Sequence, residues 1–93
     1  MLQMGRKVSQ ADYEKIRRNI VKKLYANKAF VKGHLLQERL MSGIPPHLGG
    51  FVDSALDELV KEEIVLLYGR TKHGNAYQLN VKKLKEIEGI IFG

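Results

Sequence analysis

Side chains that commonly carry catalysis or bind metals are few in this chain, and they lie far apart in the sequence. The chain has no cysteine, which excludes disulfides, thiol catalysis and cysteine zinc sites. Its three histidines stand singly, with no second histidine three or four residues away and no acidic partner in a recognisable motif: His34, His47 and His73. We therefore expect neither a metal site nor a cofactor.

The segment 49–63 holds hydroxyl and acidic groups, but their spacing does not favour catalysis. Ser54 falls inside a predicted helix, without the strained turn that exposes a nucleophile. Asp57-Glu58 and Glu62-Glu63 are adjacent in that helix. Their side chains therefore point about 100° apart and cannot face one substrate atom as an acid–base pair. The sequence predicts a protein that is not an enzyme and has no catalytic residue.

Charge is the strongest signal in the composition. Sixteen Lys and Arg against ten Asp and Glu give a net charge of +6. The excess is uneven: residues 1–36 hold nine basic and two acidic side chains, residues 37–63 two and six, and residues 64–93 five and two. A basic excess is typical of proteins that bind a polyanion, either nucleic acid or an anionic surface. Solubility alone accounts for the same excess, and the composition does not decide between the two.

Length and hydropathy indicate a single soluble domain. A chain of 93 residues buries one modest core, and we expect an N-terminal arm at residues 1–8 followed by one domain at residues 9–93. The N-terminal residues are too few and too polar for a signal peptide. No stretch approaches the roughly 18 apolar residues of a membrane span. We expect a cytoplasmic protein without a membrane partner.

A first helix is predicted from residue 9. Ser9 is the expected N-cap, with Asp12 three residues on, and Val8 can pack against Tyr13 across the helix start. One face is apolar at helical spacing: Tyr13, Ile16, Ile20 and Leu24. Basic side chains fall on the opposite face: Lys15, Arg18 and Lys22. This basic face is either the solvated side of the helix or a surface that binds phosphates.

Two shorter elements and a connector follow. The apolar residues 29–31 suggest a short strand that pairs with a later hairpin, and residues 35–41 fit a second helix. Gly43 suits the position just past the end of that helix, and Pro45-Pro46 prevents its continuation. Residues 42–50, rich in Gly and Pro, form the connector.

The stretch from residue 49 to residue 80 indicates a helix that runs directly into a two-stranded hairpin. Apolar residues at spacings of three, one, three and one predict a core-facing helix: Val52, Ala55, Leu56, Leu59 and Val60. Residues 64–68 are β-formers, residues 70–75 are polar with a turn at Gly74-Asn75, and residues 76–79 form the second strand. Tyr68 and Tyr77 could stack on bases, although tyrosines at such strand positions are more often part of the core.

A last helix is predicted at residues 81–88, with Asn80 as its N-cap and Gly89 as its end. The chain then closes with an apolar group: Ile90, Ile91 and Phe92. This group either packs into the core or contacts a second copy of the chain, because exposed apolar clusters are typical of interfaces. A homodimer through these three residues is therefore one predicted partner.

This order of elements resembles the winged helix-turn-helix family. Residues 35–40 and 43–45 are similar to the family's second helix and turn, and residues 52–65 to its third helix. Residues 71–79 resemble the wing of stand-alone regulators of the MarR and ArsR type, and size and charge resemble small archaeal members. The resemblance covers residues 9–88. It implies an α+β fold with a three-helix core, an antiparallel wing of two to three strands and a C-terminal helix.

The resemblance also implies a role. In this family the third helix enters the major groove of duplex DNA, and the wing contacts phosphates or the minor groove. Such domains act as transcriptional regulators or chromatin-type binders. By that resemblance, the residues expected to contact double-stranded DNA are His47, Asp53, Ser54 and Asp57 at the third helix, Arg70, Lys72, His73 and Asn75 on the wing, and Lys32 and His34 at the front of the second helix.

Three features depart from the family pattern. The connector holds extra residues before Val52, which opens the turn between the second and third helices. Glu63 stands where the family often has glycine, and a left-handed conformation there costs on the order of 1 kcal/mol relative to glycine. The third helix is acidic, with five carboxylates against Lys61 alone. Because DNA affinity is largely phosphate neutralisation, we expect the first helix, the wing and the last helix to provide the attraction.

An acidic third helix also supports a different function, that of a protein-interaction domain in a larger complex. In that interpretation the acidic face contacts a basic protein partner, and the basic surface serves only solvation. RNA binding has less support, because nothing in the sequence resembles an aromatic platform on a sheet.

Overall fold

The computed structural model describes residues 10–93, which form a small α+β domain of four α-helices and a three-stranded antiparallel sheet. In chain order the elements are α1 (Gln10–Ala26), β1 (Leu35–Leu36), α2 (Gln37–Met41), α3 (Gly49–Lys61), β2 (Val65–Thr71), β3 (Gly74–Leu79) and α4 (Leu84–Phe92). Two 3-10 turns precede α3 and α4, at Pro46–Leu48 and Val81–Lys83.

The predicted cap Ser9, its neighbour Val8 and the predicted arm at residues 1–8 lie outside the described residues. None of the helices within residues 10–93 is both long and apolar enough to span a membrane.

The core lies where α1, α3 and the sheet meet. Most residues of the apolar stripes predicted from helical spacing are buried: Ile16, Ile20 and Leu24 in α1, and Val52, Ala55, Leu56 and Leu59 in α3. The remaining two members, Tyr13 and Val60, are half-buried and pack against the core. The sheet adds Val65, Tyr77 and Leu79, none of them more than 7% exposed. Full burial of one large aliphatic side chain contributes about 1.5–3 kcal/mol. Apolar packing therefore joins the helices to the sheet.

β3 is the central strand, with β1 on one side and β2 on the other. Leu35 and Leu36 of β1 pair with Tyr77 and Ala76. The sequence placed both leucines in the second helix; they form a strand instead, and α2 begins only at Gln37. Periodicity alone cannot distinguish a helix from a strand in so short an apolar run. Pairing with β3 decides that Leu35 and Leu36 form a strand.

Residues 29–31, predicted as a strand, do not form one. Phe30 makes a single parallel bridge to Leu79, whose amide donates to the carbonyl of Ala29 at 2.7 Å. Val31 then adopts φ +58°, a left-handed conformation that an extended strand does not contain. The chain turns at this point, and the strand that pairs with β3 begins later, at Leu35.

The end of α3 leads into β2 through Glu63, which adopts φ +62°. The amide of Glu63 donates to the carbonyl of Val60, and that of Ile64 to the carbonyl of Leu59, each at 3.0 Å. This is the Schellman arrangement that ends many helices. Asn80, just after β3, holds the junction: its side-chain amide donates to the Glu63 carbonyl at 2.8 Å, and its backbone amide donates to the Ile64 carbonyl at 2.9 Å. Glu63 therefore adopts the left-handed conformation that the sequence analysis considered for this position.

The start of the last helix differs from the prediction. Val81–Lys83 form a 3-10 turn, and the α-helix begins at Leu84. The side chain of Asn80 does cap this turn, because its oxygen accepts from the amide of Lys82 at 3.1 Å. The cap was predicted correctly, and the helix type of the first turn was not.

The predicted end at Gly89 is wrong, since α4 continues to Phe92. Ile87 is fully buried, and Ile90 and Ile91 pack against the core. This tertiary packing outweighs the roughly 1 kcal/mol that a glycine costs inside a helix. Phe92 is 71% exposed and contacts Tyr25 edge-to-face, with ring centroids 6.1 Å apart. Phe92 is the most exposed member of the group predicted to form a homodimer. The homodimer stays a prediction, and sedimentation equilibrium tests it.

Replacing Glu63 by glycine is expected to stabilise the protein. Glycine adopts φ +62° without the steric cost that a side chain meets, so the free energy of unfolding should rise by about 1 kcal/mol in urea denaturation. Lys61→Gly is the matched control. Lys61 is exposed and helical, so glycine there should lower the free energy of unfolding by roughly 0.5–1 kcal/mol. A loss of stability in both variants would contradict this interpretation of Glu63.

Candidate nucleic-acid interface

The hairpin of β2 and β3 ends in a two-residue turn, Lys72-His73. Thr71 and Gly74 form the last cross-strand pair. The Thr71 hydroxyl closes the turn, because it donates to the Gly74 carbonyl at 2.8 Å and accepts from the His73 amide at 3.0 Å. Gly74, at φ +115°, adopts a conformation that residues with side chains rarely reach. The turn predicted at Gly74-Asn75 therefore lies two residues earlier.

The hairpin tip brings together the four residues predicted for the wing. Lys72 and His73 form the turn. Arg70 and Asn75 are cross-strand partners and form the second pair from the turn, next to the pair of Thr71 and Gly74. The side chains of Arg70, Lys72 and His73 are exposed, and that of Asn75 is half-buried. Exposed cations on a closed turn can contact phosphates without first being taken out of the protein interior.

A chain of hydrogen bonds connects the hairpin to α2 and α3. The Asn75 amide donates to the Tyr77 hydroxyl at 3.4 Å, and that hydroxyl donates to the side-chain oxygen of Gln37 at 3.5 Å. The Gln37 amide donates in turn to the carboxylate of Asp53. Tyr77 is only 7% exposed, so its predicted place in the core is confirmed. The same side chain ties the strand to the two helices beside it.

One face of α3 points outward. Its members are exposed and follow one another at spacings of four, three and four, opposite the buried stripe: Gly50, Ser54, Asp57 and Lys61. A cleft of about 310 Å³ lies between α3 and the hairpin. Its lining includes residues of both elements: Asp57, Lys61, Arg70 and Asn75. We call this combined area the α3–hairpin surface, defined by Ser54, Asp57, Lys61, Arg70, Lys72, His73 and Asn75.

Glu58 of α3 and Glu62, the residue that caps its C-terminus, face α1. Arg17 of α1 contacts Glu58 at 3.2 Å and Glu62 at 2.8 Å, and its guanidinium reaches both carboxylate oxygens of Glu62. The Arg17 side chain is 15% exposed, and its hydrogen bond to Glu62 raises its pKa. Burial, followed by the nearby Glu58 carboxylate, raises the pKa of Tyr13. The carboxylates at positions 58 and 62 thus belong to a helix–helix contact.

No sequence pattern indicated a role for Arg17, Gln37 or Lys61. Arg17 follows the buried Ile16, which places it at the edge of the core stripe of α1, and this position was a usable signal. The partners Glu58 and Glu62 lie more than 40 residues away along the chain, so no local pattern could identify them.

Lys32, His34 and His47 complete the predicted set. Lys32 and His34 are exposed in the loop before β1. They do not lie at the front of α2 as expected, because Leu35 and Leu36 are a strand. His34 stacks on Tyr68, with ring centroids 4.4 Å apart and planes 9° from parallel. His47 is exposed in the 3-10 turn that precedes α3.

A metal ion is the other ligand that histidine and acidic side chains could bind. Within residues 10–93, no group of three or more histidine or acidic side chains is placed to hold a metal ion. No family model, no curated protein and no solved structure matches the chain.

Removing the Arg17 guanidinium should weaken the contact between α1 and α3. Arg17→Met keeps most of the apolar stem and leaves the neighbouring carboxylates of Glu58 and Glu62 unpaired. We expect the free energy of unfolding to fall by about 1 kcal/mol, since these carboxylates are roughly half exposed. Lys15→Met, an exposed position on the same helix, is the control and should change stability by less than about 0.5 kcal/mol. The free energy of unfolding is measured by urea denaturation. Equal losses in the two variants would mean that the pairing of Arg17 with the carboxylates does not stabilise the contact between α1 and α3.

Proposed function

We propose that this chain is a duplex-DNA-binding domain of the winged-helix kind, acting as a transcriptional regulator or chromatin-type binder. In this proposal β2 and β3 are the wing, and α3 is the helix presented to the major groove. The observation that carries it is the α3–hairpin surface, where an exposed helix face adjoins a hairpin tip bearing Arg70, Lys72 and His73. The order of elements, with two helices before α3 and a hairpin directly after it, supports the same assignment.

The dimensions of α3 suit a groove. Its 13 residues span about 20 Å, and a helix with its side chains is about 10–12 Å wide. The major groove of B-DNA is about 12 Å wide. Ser54 can donate to or accept from base edges, and a carboxylate such as that of Asp57 can accept from the amino group of cytosine.

Charge on the surface favours DNA more than the sequence suggested. Glu58 and Glu62 are held by Arg17 on the side of α3 that faces α1, and Asp53 accepts from Gln37. The outward face therefore carries Asp57 against Lys61. The cationic tip beside it adds two formal positive charges, Arg70 and Lys72, to this nearly neutral face.

The protein-interaction alternative has less support for the same reason. It depends on an acidic face of α3, and three of the five carboxylates of residues 53–63 have intramolecular partners. A basic protein partner would have to displace Arg17 or bind the remaining two, Asp57 and Glu63. If the purified protein bound no duplex even at low salt, this alternative would replace the first.

The wing is tested by the double variant Arg70→Ala/Lys72→Ala. Neutralising two phosphates contributes about 1.8 to the slope of log affinity against log salt concentration. Removing both cations should therefore lower that slope by nearly 2, with weaker binding on every duplex sequence. Fluorescence anisotropy of a labelled mixed-sequence duplex, titrated at several salt concentrations, measures both quantities.

Lys82→Ala/Lys85→Ala is the matched control. It removes the same formal charge from exposed positions that follow the base of β3, about 20 Å of strand away from the hairpin tip. This variant should retain most of the affinity and most of the salt slope, because in this proposal the last helix, which the sequence analysis counted among the sources of attraction, contributes less than the hairpin tip. Equal losses in the two double variants would mean that net charge alone attracts DNA and that the hairpin tip has no special part.

A further inference from the structure

An exposed aromatic pair lies on the sheet, at Tyr68 and His34. The two rings are stacked, with centroids 4.4 Å apart. Tyr68 keeps 48% of its surface exposed, and His34 is also exposed. The sequence favoured a core position for Tyr68, and this is wrong.

Tyr68 lies outside the core because strand alternation places it on the same outward face as Leu66, opposite the buried Val65, and a bulge occurs at this position. The register between β2 and β3 shifts between Leu67 and Gly69, which leaves Tyr68 without a partner residue on β3. An extra residue of this kind bends the strand. Local periodicity does not reveal such a shift, because it depends on the pairing of the two strands.

The surroundings of the pair are apolar and fixed in place. Gln78, the cross-strand partner of Leu66, donates its side-chain amide to the carbonyls of Val31 and Gly33 at 2.9 and 3.1 Å. These bonds hold the loop before β1 against the sheet. Leu66 and Val31 are 37% and 67% exposed. We call Val31, His34, Leu66 and Tyr68 the aromatic platform.

The chain segments that form the platform carry charge of one sign. The two segments that build the sheet and its loops, residues 28–36 and 64–80, contain no Asp or Glu and hold four formal cations: Lys28, Lys32, Arg70 and Lys72. Lys32 lies two residues from His34, whereas Arg70 lines the cleft on the α3 side of the sheet. A basic surface of this kind attracts a polyanion. A peptide without net negative charge gains no such attraction.

We propose that the aromatic platform binds unpaired bases of single-stranded nucleic acid. A stacked pair uses one face of each ring, so a base can extend the stack on the exposed side of Tyr68 or His34. Every base has an aromatic face, and stacking on exposed aromatic side chains beside a basic surface is how single strands are held without sequence preference. Bases in a duplex are already stacked, so this site is separate from the proposed duplex contact and does not depend on it.

The test compares oligomers that differ only in their bases. Labelled oligothymidine of about twelve nucleotides and an abasic oligomer of equal length and charge are titrated with wild-type protein and with Tyr68→Ala. Anisotropy should show oligothymidine binding at least about fivefold tighter than the abasic oligomer, and Tyr68→Ala should abolish that difference. An oligouridine of the same length establishes whether the unpaired strand is DNA or RNA.

Controls separate stacking from folding and from charge. Tyr68→Phe keeps the ring and should bind within about twofold of the wild type, while Leu84→Ala removes an exposed apolar side chain elsewhere and should have no effect. Duplex binding by Tyr68→Ala should equal that of the wild type. With four tyrosines and no tryptophan, tyrosine emission gives a second readout. Quenching by oligothymidine, but not by the abasic oligomer, is expected in the wild type.

Either of two results would overturn the proposal. The first is equal affinity of the wild type for the oligomers with and without bases, which would reduce the interaction to phosphate attraction. The second is undiminished binding of oligothymidine by Tyr68→Ala. Neither result affects the duplex proposal, because that proposal is decided by Arg70→Ala/Lys72→Ala on paired DNA.

Discussion

The left-handed turn at Glu63 determines where the hairpin lies relative to α3. Only Glu62, Glu63 and Ile64 separate α3 from β2, so the backbone geometry of this junction, rather than a flexible linker, sets the direction of the strand. Asn80 fastens the end of β3 to the same junction through the carbonyls of Glu63 and Ile64. Six cross-strand pairs then carry this placement from the base of the hairpin to its tip. The α3–hairpin surface therefore depends on a conformation that glycine adopts more easily than glutamate.

Hydrogen bonds inside the domain decide which charges are available to a partner. By composition, the third helix is acidic enough to repel phosphates. In the folded chain, Glu58 and Glu62 face α1 and share Arg17, and Asp53 accepts from Gln37. These contacts are individually weak, since exposed ion pairs contribute about 1 kcal/mol or less. These contacts orient three carboxylates toward other parts of the chain, away from the outward face of α3.

Helices were predictable from the sequence to the extent that periodic burial determines them. The stripes of α1 and α3 follow from spacing alone, as does the Asn80 cap. The errors have a common physical origin in partners distant along the chain. Leu35 and Leu36 became a strand because β3 offers them a partner, and α4 passes through Gly89 because its isoleucines pack on the core.

In the candidate site, too, local features were predictable from the sequence, and features that depend on distant partners were not. The residues of the hairpin tip were identifiable because they are consecutive, and the structure needed only to move the turn to Lys72-His73. Arg17 and Gln37 were not identifiable, because their roles arise from side chains of α3 and β3. Tyr68 and Tyr77 looked equivalent in sequence, but Tyr77 lies on the core face of the sheet and Tyr68 on the exposed face.

The hairpin has two different surfaces. Side chains alternate between the two faces of the sheet, with Val65 in the core and Leu66 exposed. The same alternation puts Tyr68 on the exposed face, where its ring stacks on His34, and the bulge interrupts the register between Leu67 and Gly69. Neither the exposure of these rings nor the left-handed backbone of Val31 is needed to fill the core. Strained and exposed apolar groups of this kind concentrate where proteins bind ligands. The aromatic platform therefore calls for an explanation in binding, and the acid-free segments around it favour a ligand that combines flat rings with negative charge.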